Sequence, residues 1–229
     1  MPDTQTPADY RAGYPIFLDM KDRPVVVIGG GAVATRKVDT LLEYGASVTV
    51  VAPQVTPSVA AHAEAGDIVW KRRAYETGDL KGASIGFCAC GDPATDARVF
   101  EEAHAAGCLM NVVDVPQCCD FVVPSILRRG LLSIAVSTSG ASCTESKLIR
   151  RSLEDQFDDS WEAYLDLMAA VRTMVKDRVT TSHVDRRPIF EACVRANWRE
   201  RLAAGEQISA EDAYAEAVAA AKKGAPQID

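Results

Sequence analysis

The spacing of apolar residues changes repeatedly along the chain, and each change marks an element. Pro24–Ile28 is an uninterrupted apolar run, P-V-V-V-I, which predicts a strand buried on both faces. Val33, Ala34, Val38, Leu41 and Leu42 then recur at helical spacing, with Gly45 where a helix C-cap belongs. Ala46–Ala52 reads as a second strand, stopped by Pro53. A short helix over Ser58–Glu64, strands at Ile68–Lys71 and Ser84–Cys90, a helix over Ala94–Ala106 and a strand at Leu109–Val113 follow. Strands alternating with helices predict an α/β fold built on a parallel sheet with right-handed crossovers.

From Asp114 the rhythm differs. Asp120–Pro124 and Leu131–Ser137 read as two strands joined by a polar link holding Arg128, Arg129 and Gly130. Their alternation suits an exposed or inter-subunit sheet. A charged helix is expected from near Thr144, and beyond Asp155 nearly everything reads as helix. Trp161, Tyr164, Leu165, Met168 and Val171 mark one face of a helix over Trp161–Lys176, and Arg187-Pro188 opens another. Ser209–Lys223 is an alanine-rich helix with Ser209 as N-cap and Asp212 three residues on. The expected division is therefore 1–113, 114–150 and 151–229.

The first strand runs into V-V-V-I-G-G-G-A-V-A, where Gly29, Gly31 and Ala34 occupy the G-x-G-x-x-G/A positions of a dinucleotide fingerprint. The first glycine allows a tight turn, the second lets backbone approach a pyrophosphate, and Ala34 lets the helix pack on the strand. The N–H groups at the helix start then face the anion. Taken alone the pattern also fits a simple strand turn; the strand before it and the helix and strand after it favour the nucleotide.

Composition narrows the class. The 229 residues are 48% hydrophobic and 25% charged, with a net charge of -7, which argues against broad nucleic-acid binding. No stretch approaches the ~20 apolar residues of a membrane helix, and the N-terminal M-P-D-T-Q-T-P-A-D-Y does not read as a secretory signal. The seven cysteines contain no C-x-x-C pair, so reduced, mostly buried cytoplasmic thiols are expected rather than a zinc ribbon or thioredoxin-like site. Cys118 and Cys119, close after Asp114, either face the pocket or pack in the core, and packing is favoured because free cysteine is readily buried. His62, His104 and His183 are expected on solvated surfaces (His183 in a polar loop), so no histidine metal site is expected.

Asp114, at the end of L-M-N-V-V-D, is the leading chemical candidate. The carboxyl ends of parallel strands line the ligand crevice, and an acid there can act as general base; capping the turn before Pro116 is the alternative. In V-S-T-S-G-A-S-C-T-E-S, Ser142 either contacts an anionic ligand or metal, or caps the following helix. Arg128, Arg129 and Lys147, with Arg150 and Arg151, either gather an anion or form a solvated face. The second strand ends in Ala52-Pro53-Gln54 and lacks the acid that binds the ribose diol, so NAD and NADP are not separated here.

Y-P-I-F-L-D-M-K-D-R-P-V-V-V-I-G-G-G-A-V-A-T-R-K, N-V-V-D-V-P, F-V-V-P-S-I-L-R-R-G and I-A-V-S-T-S-G-A-S together resemble the precorrin-2 dehydrogenase/sirohydrochlorin ferrochelatase family, the N-terminal module of sirohaem synthase and its stand-alone relatives. The resemblance covers about Pro15 to Glu154 and, more loosely, the helical tail. It implies a Rossmann-type NAD-binding domain, a small α+β dimerisation segment exchanged within a homodimer, and a helical C-terminal region. It further implies NAD-dependent oxidation of precorrin-2 to sirohydrochlorin, with ferrous iron insertion in some members. Carried over residue by residue, Asp114 is the functional aspartate and Ser142 the metal- or tetrapyrrole-binding serine. Gly29, Gly30, Gly31, Ala32, Val33, Pro53 and Gln54 would hold NAD, and Arg128, Arg129 and Lys147 suit a polycarboxylate substrate. The family loop continues Ser-Pro where this chain has Ser142-Cys143, which weighs against chelation more than against dehydrogenation. No methyltransferase module fits within the 229 residues, so precorrin-2 is expected from another protein. A nucleotide- or tetrapyrrole-sensing module, or a chelatase without dehydrogenase activity, is the competing expectation.

Overall fold

The computed structural model describes residues 12–180 and 183–224, with only the backbone at 183 and 184. The N-terminal decapeptide read for a signal lies outside them. Two compact units divide between Val123 and Pro124. The boundary expected after residue 113 lies just beyond the last strand of the first unit, and the one after residue 150 lies inside a helix.

The first unit contains β1 (Pro24–Ile28), α1 (Ala32–Glu43), β2 (Ser47–Val51), α2 (Pro57–Ala65), β3 (Ile68–Lys71), β4 (Ile85–Cys88), α3 (Pro93–Ala106) and β5 (Leu109–Val112). The strands form one parallel sheet in the order β3-β2-β1-β4-β5. Both faces are covered, which is why β1 is apolar without alternation. Val25, Val27, Val50 and Phe87 face Val38 and Leu41 of α1 and Val59 of α2. Val26, Ile28, Cys88 and Met110 face Val99 and Ala103 of α3. Each of the Val, Ile, Leu, Phe and Met side chains among them contributes about 1.5–3 kcal/mol when fully removed from water.

No helix joins β3 to β4; hydrogen bonds and ion pairs order that crossover instead. Glu102 of α3 accepts from the Tyr75 hydroxyl, from Gly78 N (3.0 Å) and from Leu80 N (2.9 Å). Asp79 accepts from Lys71 Nζ at 2.8 Å and from both Arg73 terminal nitrogens at 2.6 and 2.7 Å. These bonds let Leu80 sit fully buried without stranding its backbone.

In the second unit the expected strand pair is displaced. β6 is Ser125–Arg129 rather than Asp120–Pro124, and it pairs antiparallel with β7 (Leu132–Val136). Arg128 and Arg129 are therefore strand residues, and the link is only Gly130-Leu131. Gly130, at φ +52°, supplies the left-handed position a two-residue hairpin requires. The segment expected as that strand, Asp120–Pro124, is instead tied to β5: the Asp120 carboxylate accepts from Met110 N and Asn111 donates to the Phe121 carbonyl.

α4 (Cys143–Glu154) packs on both strands of this hairpin. α5 (Ser160–Arg178), α6 (His183–Arg195), α7 (Trp198–Ala203) and α8 (Ala210–Lys222) enclose a separate core around the fully buried Trp198. The α5 seam runs through Leu167, Val171 and Val175, with Tyr164 and Met168 of the expected face packed against it; Leu167 lies outside that expected face, and Leu165 is half-buried. α6 starts before Arg187, placing His183 on a helix rather than in a loop, with Pro188 inside it at the cost of one backbone donor. Ser209 caps α8 as expected, accepting from Asp212 N at 3.1 Å.

Candidate functional site

The carboxyl ends of all five parallel strands share one edge of the first unit, and the glycine turn lies there. Gly29 adopts φ +114°, and a Cβ on it would meet the Ala89 carbonyl oxygen at 2.5 Å. A Cβ on Gly30 would lie 2.0 Å from the Gln54 carbonyl oxygen. Both are glycine because the turn is packed between the segments following β4 and β2. Gly31 differs: it has φ -81° and ψ -172°, and nothing lies within 4 Å of where its Cβ would be.

Gly31 is also the N-cap of α1, without a side-chain capping bond and without an acidic residue in the first turn. The helix thus presents its first N–H groups, including those of Ala32 and Val33, uncapped beside an open glycine. That is the geometry a pyrophosphate needs. Thr56 closes the other side: its N donates to the Gly30 carbonyl at 3.0 Å, and its hydroxyl lies 2.7 Å from that of Thr35. Pro53 and exposed Gln54 follow β2 at this same edge. The turn residues and the Pro53-Gln54 segment are therefore brought together.

Asp114 does not end β5, which stops at Val112. It lies two residues beyond, exposed, in a left-handed turn at φ +63°. Asp22, Ser139 and Asn197 adopt the same left-handed region, which aspartate and asparagine enter more readily than other non-glycine residues, so the conformation also fits the turn-capping alternative. Cys119 donates to the Val112 and Val115 carbonyls, and Cys118 packs against the core, consistent with packing roles. Of the seven free thiols, Cys88, Cys108 and Cys193 are buried while Cys90 and Cys143 are exposed.

The other candidates belong to the second unit. Ser142 is the N-cap of α4: its Oγ accepts from Glu145 N at 3.1 Å, and its N donates to Thr138 Oγ1 at 3.0 Å. The hydroxyl-rich loop is thus largely satisfied within itself. Arg128 is exposed on β6, and Arg129 Nε lies 3.0 Å from Asp159. Lys147 is exposed on α4, while Arg150 pairs with Glu154.

Sequence reasoning passed over Lys37. It lies on α1 with its ammonium 5.2 Å from the Phe87 ring centre, and burial lowers its pKa. Its signal was hidden because a lysine at a polar helix position looks solvated. His62 bridges Asp39 and Asp67, and His104 meets Asp120, so both imidazoles have carboxylate partners.

A family model described as putative NAD(P)-binding matches residues 16–125, and one described as sirohaem biosynthesis protein central matches 129–156. The chain is 34% identical over 199 residues to a siroheme synthase of Nitrosococcus oceani, covering 87% of this chain and 42% of that protein. It is 36% identical over 216 residues to siroheme synthase 1 of Cronobacter sakazakii, covering 93% and 44%. The chain therefore spans less than half the length of these curated relatives. The solved structure of SirC, a precorrin-2 dehydrogenase, matches with a TM-score of 0.73 at 27% identity, over 92% of this chain and all of that one. With both family models in order along the chain, it belongs to the family that comprises the precorrin-2 dehydrogenases and the N-terminal modules of sirohaem synthases.

Proposed function

We propose that this chain oxidises precorrin-2 to sirohydrochlorin with NAD. The observation that carries the reading is Gly31: an open, side-chain-free N-cap, with α1 uncapped behind it, in a chain that matches SirC over 92% of its length. Gly29 and Gly30 hold the turn, and the N–H groups of Ala32 and Val33 bind the pyrophosphate. Pro53 and Gln54 border the adenosine ribose. Bound NAD supplies the hydride acceptor. Removing two hydrogens from the substrate then leaves one proton to be placed, and the Asp114 carboxylate accepts it and passes it to solvent. Arg128, Arg129, Lys147 and Ser142 bind the substrate's carboxylates.

The protein works in the cytoplasm as a homodimer through residues 114–150. The two-stranded β6–β7 hairpin leaves Leu131 64% exposed, and α4 leaves Leu148 and Ile149 51% and 40% exposed. Such a hairpin is marginal by itself, and a second copy would cover this apolar surface. A monomer by light scattering would refute that arrangement. Ferrous iron insertion, if this chain performs it, would use sirohydrochlorin as the main ligand of the ion.

Purified protein mixed anaerobically with precorrin-2 and NAD, without iron, should form NADH and sirohydrochlorin in equal amounts. Asp114→Asn should lose most turnover while still binding NAD. Absence of turnover with NAD bound would favour a sensing module. Iron insertion into sirohydrochlorin at a rate indifferent to NAD would favour a chelatase.

A further inference from the structure

Cys88, Cys90 and Asp96 converge where β4 passes into α3. Cys88 is the last residue of β4 and Cys90 follows two residues later, while Asp96 lies in the first turn of α3. The two Sγ atoms are 3.5 Å apart, and Asp96 Oδ1 lies 3.2 Å from Cys88 Sγ and 3.3 Å from Cys90 Sγ. Asp96 is only 7% exposed, and the hydrogen bonds its carboxylate accepts among the described residues come from these two thiols. A buried carboxylate is costly unless a cation or strong donors face it, and a thiol is a weak donor.

We propose that Cys88, Cys90 and Asp96 form a binding site for a thiophilic divalent cation of the zinc class, with solvent as the fourth ligand. The distances suit that ion. Tetrahedral bonds of about 2.3 Å to sulfur and about 2.1 Å to oxygen place the donors about 3.5–3.8 Å apart, an expansion of a few tenths of an ångström. Two thiolates and a carboxylate match the +2 charge and exceed it by one, and thiolate softness favours zinc or cadmium over magnesium or calcium. Cys90 is exposed, which gives the ion an entry path and leaves room for water. Binding replaces both thiol protons, so each ion taken up releases two protons. Burial raises the pKa of both thiols, and without an ion they remain protonated. The three ligands are not among the proposed nucleotide and proton-transfer residues, although Cys90 N borders the Gly29 turn, and the proposal does not depend on precorrin-2 oxidation.

The test is titration of the full-length, reduced, metal-stripped protein with Cd2+, read by the ultraviolet thiolate-to-cadmium charge-transfer band. One ion per chain should bind with an absorbance for two thiolates. Cys90→Ser should halve the band and weaken binding beyond the about 10–100-fold that loss of an outer-sphere partner costs. Asp96→Asn should weaken binding with the two-thiolate band retained at saturation, and Cys143→Ser should change nothing. Circular dichroism of each variant reports that it is folded. A band unchanged in Cys90→Ser, or abolished in Cys119→Ser instead, would overturn the assignment, as would absence of the band in the unaltered protein.

Discussion

Gly30 and Gly31 are neighbours that lack side chains for opposite reasons, and substitutions should separate them. A Cβ on Gly30 meets the Gln54 carbonyl oxygen at 2.0 Å, and backbone cannot move aside cheaply. Gly30→Ala should cost about 1–3 kcal/mol of stability, read from a urea melt. Gly31→Asp enters open space in a conformation any residue adopts, and aspartate is a favoured N-cap. It should therefore hold or raise the melting temperature while weakening NAD at least about tenfold by calorimetry, since a carboxylate would occupy the phosphate site. Equal loss of stability at both positions would contradict the distinction. His62 offers a pH test. Its hydrogen bond to Asp67, with Asp39 close by, raises its pKa above the ordinary 6.5. The folded form then gains stability that is complete below 6.5 and lost as pH rises through the raised value. His62→Gln should lower the melting temperature at pH 5.5 and leave it unchanged at pH 9. At this scale the glycine turn was legible because its spacing follows from backbone geometry. The cap role of Ser142 was readable only as one of two alternatives, since a hydroxyl before a helix looks the same in either.

At the scale of elements, the β3–β4 crossover depends on two carboxylates rather than on a helix. Glu102→Ala leaves the Gly78 and Leu80 donors and the Tyr75 hydroxyl without their acceptor, at about 1–3 kcal/mol for each one kept from water. Hydrogen exchange in residues 76–80 should accelerate first. Arg73, with Lys71 beside it, holds the Asp79 carboxyl well below its ordinary 3.8. That contribution is present above 3.8 and lost as pH falls through the depressed value. Asp79→Asn should therefore remove part of the protein's acid-dependent loss of stability, measured as melting temperature between pH 5 and pH 2. Strand and helix types were readable throughout the sheet, because burial on both faces leaves apolar runs of strand length. The β6 strand was misplaced by five residues. Asp120–Pro124 is as apolar in pattern as a strand, but it meets β5 through one isolated bridge at Cys119, one backbone bond from Asp120, and side-chain bonds of Asn111 and Asp120, without forming a ladder. No local pattern records such a bond.

At the scale of the whole chain, two units carry separate cores, and substitution in one should act on that core. Trp198 is fully buried among α5, α6 and α8, with its Nε1 donating to Glu216 at 3.2 Å. Trp198→Ala should cost the second unit about 3–5 kcal/mol, with amide protection falling in α5, α6 and α8 while β1 and β2 keep theirs. Uniform loss across both units would show that they unfold as one. The sequence by itself determined the sheet's apolar strands, the glycine turn and the helical character of the tail, since strand and helix periods and the need for φ above zero are properties of a few adjacent residues. Only the tertiary structure decided the strand order and that Glu102 would cap a loop more than twenty residues away. It also showed that Gly31 faces open space while Gly30 does not, and that two thiols and a buried carboxylate meet at the end of β4. Those outcomes depend on which distant segments the sheet brings side by side, and no repeat along the chain encodes that.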